Sequence, residues 1–517
     1  MDVTPAITAP TASDPTGSVI NTGSYDVEFA GQITGTGTVE KAGSGELLLT
    51  GTNNDYTGNT TVTAGTLALK GAITASSVKV NSGTTFTAYQ GAKIGGNLDA
   101  SGATLNFYVP GTATDGDKIL TVGGSADVSG STVNVGIDGS SSALDTGDEI
   151  ILIDAASRAG VPSNAKSSGT AMKGVTLQYD FELITNTTQL IAKLLTDTTS
   201  IVPPMGAGTL NPRVKALSEG YIAGISLINQ GGDLIDPSKI QNFSYDFEGF
   251  AIMNGGSSRY NTGSHVDLKS FSVVAGVTKG KEVSGGKLMF GGFFEYGTGS
   301  YDTYNSFTSL ASVRGDGDLS YFGGGILGRM DFKPVKSGNF YLEGSLRAGR
   351  IKNKYSSKDL QSVIGTIAAY SKTDGYAGFH LGAGYRWNIT EKTELDLYTK
   401  YFYTKEKGDH VILSTGDDIH FKDVTSSRIR IGGRLSGNGE KVKPYAGLAW
   451  EYEGDGKARA TTSGLKIGTP SLTGSTGIAE LGVKLTPSPK WTLDIGIQGY
   501  VGEREGVTGS LRVKYVF

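Results

Sequence analysis

Arg428-Ile429-Arg430-Ile431-Gly432-Gly433-Arg434-Leu435 puts three arginines on one side of an extended chain and Ile429, Ile431 and Leu435 on the other. The same period of two runs through Ala377–Trp387, where the large apolar residues share one face and Gly, His380 and Arg386 the other. It returns in the last strand, Leu511-Arg512-Val513-Lys514-Tyr515-Val516-Phe517. A soluble sandwich also has a polar and an apolar face. Here, however, the polar face carries many charges and glycines, and the apolar face is rimmed with Tyr, Trp and Phe. That pattern predicts a lipid-facing band with aromatic girdles around a polar lumen. Twelve such segments centre near residues 251, 274, 292, 324, 344, 382, 398, 431, 448, 481, 495 and 513. An even number closes a barrel without an exposed edge, as a bilayer requires.

The connections alternate in length. Those at the odd crossings run roughly 17, 22, 28, 24 and 25 residues, and the intervening ones roughly 5 to 9, which predicts short periplasmic turns and long outer loops. The last outer connection, near Tyr500–Thr508, is short. Inward parity places Glu343, Asp396, Arg428, Arg430, Arg434, Glu451, Glu480, Arg512 and Lys514 in the lumen. There they are expected to pair with one another, hold a helix and govern pore occlusion.

The rest of the chain has a different composition. The first 200 residues hold 9 Lys+Arg against 19 Asp+Glu, and the remaining 317 hold 37 against 31. Nine aromatics fall in the first part and 37 in the second. No Lys/Arg stripe is dense enough for nucleic acid. Gly45-Glu-Leu47-Leu-Leu49-Thr-Gly51 recurs 20 residues later as Gly65-Thr-Leu67-Ala-Leu69-Lys-Gly71. Gly95–Phe107 recurs 28 residues later as Gly123–Val135. Each unit is a short alternating strand bounded by Gly, Asn or Ser-Gly, and none can bury its apolar face alone. Stacked as coils of a parallel β-helix, they can. A β-solenoid is expected over residues 21–195, with an ordinary β-sandwich as the competing reading. Asp99 and Asp127 at the repeat turns suit turn formation better than calcium ligation, because the nonapeptide consensus is missing.

Residues 1–20 read as a disordered stretch and 196–210 as a linker. A helix is predicted over about 212–230, with Asn211 as cap, Pro212 at the first position and Gly231-Gly232 as the stop. Its small residues, Ala216, Gly220, Ala223 and Gly224, mark a face for close packing. With twelve strands, both barrel ends lie in the periplasm. The helix must then cross the lumen if the solenoid is outside.

Four motifs carry a family resemblance. Gly43-Ser-Gly45-Glu-Leu47-Leu-Leu49-Thr-Gly51-Thr-Asn53-Asn-Asp-Tyr56-Thr57-Gly58, continuing to Leu67, resembles the passenger-associated repeat. Val214–Gly231 resembles the segment entering a translocator barrel, and Pro444-Tyr445-Ala446-Gly447-Leu448-Ala449-Trp450-Glu451-Tyr452 its late-barrel motif. Val513, Tyr515 and terminal Phe517 resemble the outer-membrane assembly signal. Together they resemble a monomeric autotransporter (type V secretion) of Gram-negative bacteria.

The resemblance implies an all-β chain: a right-handed parallel β-helix passenger, a pore helix within 196–236, and a twelve-stranded barrel over 240–517. It further implies outer-membrane lipid, barrel-assembly machinery and periplasmic chaperones as partners, with a monomeric barrel and a surface-exposed, adhesin-like passenger that binds a host-cell or matrix ligand. The start, Met-Asp-Val-Thr-Pro-Ala, has no basic n-region or apolar h-region, so the sequence reads as the C-terminal part of a longer protein or a split reading frame. Some members of the family cleave themselves at Asn-Asn in the plug helix. Here Asn211 precedes Pro and Asn229 precedes Gln.

Zero Cys excludes disulfides and thiolate chemistry. There is no GxSxG or HExxH, and no paired carboxylate set can be placed on one face of the first part. No cofactor, metal site or enzyme activity is expected, with a surface carbohydrate-active β-helix enzyme or a simple porin as the alternatives. His410 and His420 lie in one long loop near Asp409, Asp417 and Asp418, which reads as a solvated polar loop. Arg314-Gly315-Asp316 is expected in an external loop, as an adhesive motif.

Overall fold

The repeat arithmetic appears directly as strand pairing. Leu47 lies beside Leu67, Leu67 beside Phe86, Phe86 beside Leu105 and Leu105 beside Val133, all in parallel register. All five are essentially inaccessible to solvent. A second parallel row runs Val39, Thr60, Val78, Leu98 and Ala126, and a third runs Ile73, Ile94 and Val122. Three rows of short parallel strands form an all-β stack in which each coil covers the apolar edge of the last.

The computed structural model describes residues 17–140, 147–165, 169–195, 209–237, 245–335, 337–437 and 439–517. Most of the expected N-terminal stretch and of the linker lies outside them. The chain forms two compact units. One comprises residues up to Asn211 with Gln361–Ile367 and Ser414–Asp417; the other comprises Pro212–Leu360, Ala368–Leu413 and Asp418–Phe517.

Side chains inside the first unit explain the repeat's polar letters. Asn54 is fully buried; its Oδ1 accepts from the Ile33 amide at 2.9 Å, and its Nδ2 donates to Gly51 O at 3.0 Å and Ala72 O at 2.9 Å. One carboxamide thus joins three successive coils, adding to the parallel bridge between Asn54 and Ile73. Gly65 turns at φ +67°, and a Cβ there would stand 2.4 Å from Gly43 O on the coil beneath. Asp99 and Asp127 are turn formers: each accepts from the amide and hydroxyl of the serine two residues on.

Towards residue 195 the parallel stack gives way to antiparallel pairs, a change the sequence did not signal. Gly169–Lys173, Leu177–Thr185 and Gln189–Leu194 pair in succession, and the last also pairs with Glu149–Ala159. These hairpins cover an edge that parallel stacking would leave open.

The second unit is a closed antiparallel barrel of twelve strands: Phe247–Asn261, His265–Val283, Gly286–Asn305, Val313–Phe332, Gly338–Gln361, Ile367–Thr390, Thr393–Glu406, Val424–Gly437, Val442–Glu453, Gly474–Ser488, Trp491–Gly502 and Arg504–Val516. First and last strands close the ring, from Glu248 beside Val516 to Tyr260 beside Arg504. Burial is inverted relative to a soluble protein. Phe294 (80 %), Leu448 (72 %) and Leu381 (59 %) are exposed on the outer face, whereas Arg329, Glu343, His380 and Lys400 are buried inside.

The outer loops are mostly shorter than expected. Strands Val313–Phe332, Gly338–Gln361 and Ile367–Thr390 have 20, 24 and 24 residues, where about 9–11 cross the hydrocarbon. They continue beyond the membrane band and absorb residues that hydropathy alone assigns to loops. Arg314-Gly315-Asp316 is therefore not at a loop tip. It lies in a strand opposite Tyr304, Thr303 and Asp302, and a Cβ at Gly315 would meet Tyr355 Oη at 2.3 Å. The segments 407–423 and 454–473 stay long and together form a four-stranded sheet of His410–Ile412, Asp418–Phe421, Ala460–Thr462 and Leu465–Lys466.

Candidate functional site

The barrel lumen is filled by the chain that precedes it. Pro212–Ser218 forms a 3-10 helix that continues as an α-helix over Glu219–Leu234. Gly231-Gly232 does not stop it, in contrast to the sequence expectation. These glycines lie under Tyr321 and Arg347: a Cβ at Gly231 would be 2.0 Å from Tyr321 Oη, and one at Gly232 2.7 Å from Arg347 Nη2. Close packing, rather than termination, accounts for them. The same holds for Gly220 against Tyr370 and for Gly224 against Glu406. Asn211 is not the helix cap; its amide and side chain donate to Thr176 O and Val175 O.

Contacts along the helix give its direction. Near its start, Thr262 donates to Glu219 at 3.0 Å, Tyr370 donates to Leu217 O at 3.0 Å, and Asn353 donates to Gly220 O at 2.6 Å. Thr262 belongs to the 262–264 turn, so this is the loop end of the barrel. At mid-height, Arg347 donates to Ile228 O at 2.8 Å and Asn229 Nδ2 to Ser426 Oγ at 2.9 Å. At the far end, Leu234 and Ile235 pack with Phe250, Ile252, Val274, Met289, Phe293 and Leu327, an apolar plug seat in a polar lumen.

Ion pairs clasp that far end. Asp233 meets Arg428 at 3.1 Å, Arg430 at 3.0 Å and Arg504 at 3.7 Å. Asp236 meets Lys400 at 2.8 Å, and Lys400 also reaches Glu343 at 2.7 Å. A carboxylate at a helix C-terminus opposes the macrodipole; three guanidiniums outweigh that here. Removing one member would strand buried charge, which typically costs about 3–5 kcal/mol. Beyond the helix, towards the chain terminus, a cavity of ≈ 530 Å³ remains, lined by Asp331, Arg386, Asp396, Arg434, Tyr445 and Lys484 among others. The lumen is thus occluded along the helix and open below it.

An autotransporter β-domain family model matches residues 250–498, and a passenger-associated transport repeat matches residues 39–69. The barrel is an autotransporter β-domain. With the repeat and the helix, the chain has the make-up of a type V autotransporter, whose barrel resides in the outer membrane. Similar solved structures include the β-domain of the Bordetella autotransporter Brka, at 17 % identity and TM-score 0.41, covering 53 % of this chain and 100 % of that one. The transport unit of AIDA-I from Escherichia coli has 13 % identity and TM-score 0.43, covering 60 % and 100 %. The translocator domain of NalP from Neisseria meningitidis has 14 % identity and TM-score 0.41, covering 59 % and 99 %. No curated protein matches the sequence.

Within this autotransporter the lumenal residues read from parity fall into two groups. Arg428 and Arg430 touch the helix directly, Glu451 pairs with Arg430 at 2.6 Å, and Glu343 acts through Lys400. The others serve the wall: Arg434 with Glu480 at 2.6 Å, Arg512 with Asp494 at 2.8 Å, Lys514 with Glu248 at 2.6 Å, and Asp396 accepting from Tyr341 at 3.0 Å. Asp233, Asp236, Arg347, Lys400 and Arg504 escaped the sequence reading. Parity could have found the barrel members, since Arg347, Lys400 and Arg504 share a face with Glu343, Asp396 and Arg512. Asp233 in the last helical turn and Asp236 just beyond the helix had no such signal. In the assembly-signal strand, Tyr515 packs on Trp491 (4.8 Å between centroids) and edge-on to Phe517 (5.4 Å). Among the described residues, no group of three or more His, Asp or Glu is placed so that it could hold a metal ion together.

Proposed function

We propose that this autotransporter barrel translocates the N-terminal solenoid across the outer membrane and displays it on the cell surface. The helix then remains in the lumen as a plug. One observation carries the reading: the helix begins at the loop end of the barrel, beside Thr262, and ends beside Phe250, near the end where the chain terminates. With both barrel ends periplasmic, the chain preceding Pro212 leaves on the outer side. The zero cysteine count agrees, because no disulfide could lock the passenger before transit. In this reading, periplasmic chaperones and the barrel-assembly machinery deliver a monomeric barrel. The passenger acts by adhesion to a host-cell or matrix ligand, without catalysis.

Surface proteolysis tests the display. The chain is expressed with a borrowed signal peptide in a Gram-negative host, and intact cells are treated with protease. Display predicts clipping before Pro212 while a heat-modifiable barrel fragment survives in the outer membrane. Protection of the solenoid until the outer membrane is opened would make the barrel an anchor or porin and end the transport claim.

A further inference from the structure

The loop expected to be merely solvated is a β-hairpin, and its two histidines face each other. His410 and His420 are direct cross-strand partners, with ring centroids 4.1 Å apart and ring planes 37° apart. Both are exposed. Two positions along, Asp418 is opposite Ile412 on the same outer face, and its Oδ1 lies 3.7 Å from His410 Nδ1. The opposite face is fixed: Ile419 and Phe421 are buried, and Phe421 stacks on Tyr221 of the pore helix at 4.4 Å. Asp417 takes no part, since it accepts from the Val175 amide and Thr176 Oγ1.

We propose that His410 and His420 form a two-imidazole surface chelate for a divalent late first-row transition ion, with the Asp418 carboxylate alongside. Directly opposed residues hold their Cβ atoms about 4.5–5.5 Å apart, which lets two imidazoles reach one ion without backbone movement. Imidazole suits Zn²⁺, Ni²⁺ and Cu²⁺, and Cu²⁺ binds tightest in the general order of these ions. Two ligand atoms each ~2.0 Å from a tetrahedral ion are ~3.3 Å apart. Asp418 Oδ1 lies 3.7 Å from His410 Nδ1, close enough for its charge to favour a cation held by the two imidazoles. A bound ion would tie the two strands at the open end of the hairpin, and through Phe421 it would stiffen the cover over Tyr221. Binding does not depend on the direction of transport.

The test is titration of the full chain, folded in detergent, with Cu²⁺ and separately Zn²⁺. Calorimetry follows binding, and electron paramagnetic resonance reports nitrogen coordination of Cu²⁺. Heat-modifiable mobility confirms that each variant is folded. The expected result is one ion per chain with two imidazole nitrogens. Affinity should fall at least about tenfold in folded His410→Ala or His420→Ala, fall less in Asp418→Asn, and stay unchanged in His265→Ala. No stoichiometric binding by the native chain, or equal binding by folded His410→Ala/His420→Ala, would overturn the assignment.

Discussion

Asn54 exchanges one side chain for three backbone partners inside the solenoid. Asn54→Ala leaves the Ile33 amide and the Gly51 and Ala72 carbonyls without that partner. The expected cost is about 1–3 kcal/mol, seen as a lower urea midpoint and faster hydrogen exchange at Ile33. Asp127 predicts a pH effect of defined sign. Hydrogen bonds from the Ser129 hydroxyl and amide hold its carboxyl below the usual range. A group depressed on folding adds stability above its unfolded value, near pH 3.9, and loses it as pH falls through the folded value. Urea midpoints of the native chain and Asp127→Asn should therefore differ most at neutral pH and converge well below pH 4.

The pore helix is held by fit and by charge, and the two can be tested separately. Gly224→Val drives a side chain into Glu406, whose carboxylate is already 2.7 Å from where a Cβ would sit. Asp233→Ala leaves Arg428, Arg430 and Arg504 without their shared carboxylate. Both changes should loosen the plug, read in planar bilayers as larger and more frequent openings than in the native chain. The Asp233 change should have the greater effect, since stranding buried charge costs about 3–5 kcal/mol. Conductance unchanged by both, and by deletion of residues 212–234, would mean that the helix does not occlude the pore.

At the scale of the molecule, the barrel is an inside-out protein, and equal substitutions on its two faces should have unequal effects. Leu448 faces lipid, while Glu451 faces the lumen. Leu448→Arg should destabilise the barrel by about 2–4 kcal/mol if it sits near the bilayer midplane. The readout is the urea midpoint for unfolding from vesicles, with loss of heat-modifiable folded protein. Glu451→Gln changes a lumenal pair and should leave assembly intact while weakening the clasp on Asp233.

The sequence by itself determined whatever follows from local periodicity. Twelve alternating segments gave twelve barrel strands, because inward and outward environments differ at every second residue. Offsets of 20 and 28 residues gave Leu47 beside Leu67 and Leu105 beside Val133, because each coil repeats its neighbour's geometry. The tertiary structure alone decided where those elements end and what they touch. Gly231-Gly232 reads as a stop until Tyr321 and Arg347 come down on it, and Arg314-Gly315-Asp316 reads as a loop until its strand runs on past the membrane. His410 and His420, ten residues apart in a polar stretch, became a facing pair only through hairpin register. The Asp233 clasp draws on residues nearly 200 to 270 positions away. Periodicity records the environment of one side chain, whereas a contact needs the positions of two, and only the closed barrel supplies the second.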